Sequence, residues 1–146
     1  MDQQRLVQTA RALVAEKKGI LAADESTGTI TRRFDSINVE STEENRRNYR
    51  EMLFRTAGVA DFVSGVILFD ETIRQTGADG TPLVKVLLDQ GIIPGIKVDK
   101  GTVPLPCAPD ELVTEGLDGL RDRLKEYVKL GAGFTKWRAV ISISDD

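Results

Sequence analysis

Four short, almost uninterrupted apolar runs recur along the chain: Ile20-Leu21-Ala22-Ala23, then residues 62–69, 92–98 and 134–143. Segments of helical periodicity lie between them. A strand that is apolar throughout has no polar face to offer water, so such runs point to a parallel sheet covered by helices. The fold class read from this pattern is α/β. Two architectures fit it, a doubly wound open sheet or a (β/α) barrel. The spacing of the strand starts gives units of roughly 40 residues, and four of these are roughly half of an eight-stranded barrel.

The intervening helices are marked in different ways. Leu6, Val7, Ala10, Leu13 and Val14 share one stripe, which predicts a helix over roughly residues 2–17. Lys17-Lys18-Gly19 suits its end, because cations complement the C-terminal dipole and glycine tolerates a left-handed turn. Ser41 to Glu44 reads as a capping box, followed by Tyr49, Met52, Leu53 and Thr56 on one face. Its STEENRRNYR start reads as a solvated surface, with Glu43 spaced to meet Arg46 or Arg47. Thr81-Pro82 predicts a helix ending at Gly91, and Leu117, Leu120, Leu124 and Val128 predict another stopped by Gly131. Residues 101–109 read as a proline-rich loop.

Composition narrows the chemistry. The 146 residues are 40% hydrophobic and 29% charged, as expected of one domain with one core, and no boundary is visible within 1–146. A net charge of −3 with acids and bases interleaved predicts no nucleic-acid partner. There is no histidine and a single cysteine, Cys107, which excludes an internal disulfide and predicts a metal-free site, no cofactor and a reducing compartment. The N-terminus lacks the apolar core of a signal peptide, and no apolar run approaches roughly 18 residues, so neither secretion nor a membrane span is expected.

Four charged groups are placed at or beside strand C-termini: Asp24, Asp70 with Glu71, Lys97 with Asp99, and Lys136 with Arg138. In open sheets and barrels alike, that edge presents ligand-binding and catalytic groups. Polar residues at that edge also simply mark where strands leave a core. Side chains alternate along a strand, so Lys136 and Arg138 share a face opposite Trp137, and Lys97 lies opposite Ile96 and Val98. Two cations on an inward face need an anion, for which a phosphate suits; on an edge strand they would meet water. Asp24 with Lys97 and Lys136 could move protons about a carbonyl carbon, while a plain Lys97–Asp99 ion pair stays open. Ser26, Thr27, Gly28 and Thr29 offer hydroxyls and amides for an anion, or an ordinary helix cap. Cys107 lies between prolines with no histidine to act as its base, so it is not assigned as a nucleophile.

The ordered segments KGILAADESTGTITRRF, STEENRRNYREMLF, SGVILFDET, PGIKVDKG, EGLDGLRDRL and GFTKWRAV resemble the first half of class I fructose-1,6-bisphosphate aldolases. The resemblance implies an incomplete (β/α)8 TIM barrel of about four strands with covering helices. It also implies a homotetrameric cytoplasmic lyase that splits fructose 1,6-bisphosphate reversibly into triose phosphates through a lysine imine. By the same resemblance Asp24, Lys97 and Lys136 are catalytic, and Arg138 supports substrate binding. Ser26, Thr29 and Arg33 line a phosphate position, and Arg46 serves substrate or interface contacts. The family's imine-forming lysine and its acidic proton-transfer residues lie on later strands, past Asp146, so this chain is expected to be inactive alone. Asp70 in LFDET departs from the family pattern beside the site. Two alternatives accompany this reading: a noncatalytic half-barrel binding module, and an aldolase for another ketose phosphate.

Overall fold

The computed structural model describes residues 2–143. Four parallel strands form the main sheet: β1 (Gly19–Ala23), β2 (Val63–Leu68), β3 (Ile93–Lys97) and β6 (Phe134–Lys136), in the spatial order β1-β2-β3-β6. A separate antiparallel hairpin joins β4 (Thr102–Leu105) to β5 (Ala108–Thr114). The helices are α1 (Gln3–Leu13), α2 (Thr27–Asp35), α3 (Glu43–Phe54), α4 (Val59–Phe62), α5 (Asp70–Arg74), α6 (Leu83–Leu88) and α7 (Leu120–Lys129).

Strand alternation sorts the sheet into two faces. Ala23, Val66, Leu68, Ile96 and Val98 are buried on one face against Phe54 of α3, Ile73 of α5, Leu83 and Leu87 of α6, and Tyr127 of α7. The other face carries Ala22, Ile67, Gly95 and Phe134 in one row of paired residues. It is less covered, and Ala22 is exposed. Phe134 fills part of it by lying over Gly95, where an added Cβ would stand 2.3 Å from the ring. Near the start of β2, Ser64 ties down the end of α1 by donating to the Leu13 carbonyl at 2.6 Å.

Several expectations change. The proline-rich loop is a hairpin, because Pro104 and Pro106 lie in or beside a two-stranded ribbon, where a missing N–H is tolerated at an edge. Cys107 turns it with φ 63°. The fourth strand ends at Lys136 and does not continue to 143. No residue of α1 is buried, although its stripe is amphipathic. The left-handed residue after α1 is Lys17, and Gly19 instead opens β1. The cap of α3 is Thr42, which accepts from Asn45 N–H at 3.1 Å, one position along from the expected capping box.

Candidate active site

The sheet register assembles the site. Ala23, Leu68, Ile96 and Thr135 are paired across the four strands, so the next residues, Asp24, Phe69, Lys97 and Lys136, form the following row. Lys97 and Lys136 are direct partners in that row. The row opens into a depression of about 800 Å³ at the C-terminal edge, lined also by Ser26, Thr29, Arg33, Glu71, Lys100 and Arg138. Lys97 therefore does lie opposite Ile96 and Val98, both of which are buried in the core.

Two ammonium groups side by side would repel, and each is met by its own carboxylate. Lys136 Nζ donates to Asp24 Oδ2 at 2.5 Å, and Lys97 Nζ donates to Asp99 Oδ1. Both carboxylates are buried, with Asp24 6% and Asp99 7% exposed. Burial works to raise the Asp99 pKa. The Lys97 ammonium and the backbone N–H groups of Arg138 and Gly101 outweigh it, and hold the carboxyl below the usual aspartate range.

The remaining acids on the rim are also engaged. Glu71 accepts from Arg46 and from Arg50, and the hydrogen bond from Arg46 is the main cause of its lowered pKa. Asp70 accepts from Tyr127 Oη at 2.7 Å and pairs with Arg74. Glu25 pairs with Arg33. Among the described residues, Lys100 and Arg138 line the depression without an ion pair. Positive charge is left over at its mouth.

Of the eight residues to which the resemblance gives catalytic or binding roles, seven, Asp24, Ser26, Thr29, Arg33, Lys97, Lys136 and Arg138, line this one depression, as do the strand-end acids Asp70, Glu71 and Asp99. Ser26 occupies the N-cap of α2 without a side-chain cap bond; its hydroxyl instead meets that of Thr29 at 3.1 Å. Arg46 does not line the depression. Its guanidinium is held by Glu71 and by the Ser41 carbonyl. The solvated reading of its helix fails on this face, since Arg50 is fully buried and Arg46 reaches Glu71, not Glu43.

Phe69, Lys100 and Tyr127 also line the depression, and the sequence reading assigns none of them to the site. Phe69 follows β2 directly and is legible from strand position. Tyr127 reaches the rim from α7, and no local pattern marks that. Among the described residues no group of three His, Cys, Asp or Glu side chains is arranged to hold a metal ion, and no helix is long and apolar enough to cross a membrane.

Fold and site together define a parallel α/β protein with paired lysines and carboxylates where its strands end. Comparison with known proteins is specific. The family model for class-I fructose-bisphosphate aldolase matches residues 5–146. A probable fructose-bisphosphate aldolase class 1 of Xylella fastidiosa (strain 9a5c) is 62% identical over 146 residues, covering 100% of this chain and 44% of that protein. Fructose-bisphosphate aldolase 2 of Plasmodium berghei is 61% identical over 140 residues, 96% of this chain and 38% of its own length. The solved fructose-bisphosphate aldolase of Plasmodium falciparum, in complex with TRAP and a small-molecule inhibitor, superposes with a TM-score of 0.94 at 55% identity. It is matched over 97% of this chain and 41% of its own. The chain belongs to the class I fructose-bisphosphate aldolase family, and it spans less than half the length of these relatives.

Proposed function

We propose that the full-length protein carrying this chain cleaves fructose 1,6-bisphosphate reversibly to dihydroxyacetone phosphate and glyceraldehyde 3-phosphate, through a lysine imine formed outside residues 1–146. In this reading residues 1–146 are the N-terminal half of one (β/α)8 barrel in a homotetrameric, cytoplasmic enzyme. The Lys136–Asp24 pair carries the proposal. It joins strands that a flat sheet would hold about 14 Å apart, so its closeness favours a sheet curling about a shared interior.

The chemistry needs an electron sink and charge control. With the substrate's C2 held as a protonated imine, breaking C3–C4 sends the bonding pair into C=N to give an enamine. The C4 hydroxyl loses its proton and becomes the aldehyde carbonyl. Within this chain, Lys136 supplies positive charge beside the reacting carbons. Asp24 holds Lys136 and contacts substrate hydroxyls. Lys97 and Arg138 steady substrate charge, and Ser26, Thr29 and Arg33 receive a phosphate near the start of α2. Arg46 acts behind the rim through Glu71.

A coupled assay on the full-length protein tests this. Turnover of fructose 1,6-bisphosphate that persists in excess chelator is expected. Loss of activity with chelator overturns the imine route. Preference for another ketose phosphate reassigns the substrate, and absence of any lyase activity points to a binding module.

A further inference from the structure

The strand ends that carry the site are held by two arginines outside it. Arg50 of α3 is fully buried, and its Nη2 donates to the Glu25 carbonyl at 2.7 Å, on the residue immediately after Asp24. Its Nη1 reaches Glu71 Oε2 at 3.3 Å, so one guanidinium grips the exits of both β1 and β2. Arg123 of α7 repeats the device at β3. Its Nη1 donates to the Val98 carbonyl at 3.0 Å, between Lys97 and Asp99, and its Nη2 donates to Gly116 at the far end of the hairpin. Neither arginine lines the depression.

A buried guanidinium is a costly way to satisfy a main-chain carbonyl, and Arg50 Nε has no partner among the described residues. A planar fork does fix direction at two points at once, which a lysine's single mobile ammonium does not. We propose that Arg50 and Arg123 are positioning residues that fix the backbone flanking Asp24 and Asp99, and so set where Lys136 and Lys97 stand relative to substrate. This rests on the aldolase reading above. Loss of either fork lets a carboxylate drift, and displacement by about 1 Å at a reacting centre lowers rate by up to about 100-fold.

The experiment is steady-state kinetics of Arg50→Lys and Arg123→Lys in the full-length protein, with folding checked by circular dichroism and unfolding midpoint. For folded Arg50→Lys, kcat falls by roughly 10- to 100-fold. The pH profile of kcat/KM also shifts, because the partner of Lys136 has moved. An unchanged kcat and pH profile in a folded Arg50→Lys overturns the proposal. If Arg50→Lys does not fold, half-buried Arg123→Lys decides it by the same readouts. An inactive parent protein instead refutes the aldolase reading, which separates the two failures.

Discussion

Lys136 and Asp24 come from opposite edges of the four-stranded sheet, yet their charged groups meet at 2.5 Å. Asp24 is buried, so a neutral replacement leaves the Lys136 ammonium with a weaker acceptor and, in the proposed aldolase reading, the substrate hydroxyls without a carboxylate. In the full-length protein, Asp24→Asn is expected to lower kcat/KM by about 100-fold or more with the fold intact. Steady-state kinetics beside a circular dichroism spectrum check this.

Phe134 and Gly95 make a second prediction. The ring occupies the space where a side chain at 95 would stand, so Gly95→Ala forces the ring aside. Overpacking of this kind costs about 1–3 kcal/mol. The lower end is expected, because Phe134 is only half-buried and has room to move. Urea unfolding of the variant measures the loss.

The Asp99 carboxyl has a native pKa below its ordinary value of about 3.9. A depressed native pKa means that the stabilisation is fully present above the unfolded-state value and disappears as pH falls through the lower native one. The urea midpoint should therefore hold from neutral pH to about pH 5 and drop below about pH 4. Asp99→Asn should flatten that drop in part. Asp70 and Glu71, whose pKa values are also lowered by ionic partners, keep the remainder.

The sequence made the sheet legible because each strand is an apolar run ending in charge, and register alone then brings Asp24, Lys97 and Lys136 into one row. It hid what depends on long-range partners. Arg50 and Arg46 lie four residues apart on one helical face, and nothing local says that this face meets Glu71 and the Glu25 carbonyl rather than water. The hairpin was masked by its prolines, and the short α5 has only five residues to show a period. The stripe on α1 predicts burial that the described residues do not supply.

In the proposed mechanism this chain provides charge control and substrate grip, while the covalent step belongs to a lysine outside it. Borohydride reduction of the full-length protein with dihydroxyacetone phosphate, followed by peptide mapping, tests it directly. One stable adduct, on a lysine beyond residue 146, is expected. An adduct on Lys97, Lys136 or any other lysine of residues 1–146 would contradict it.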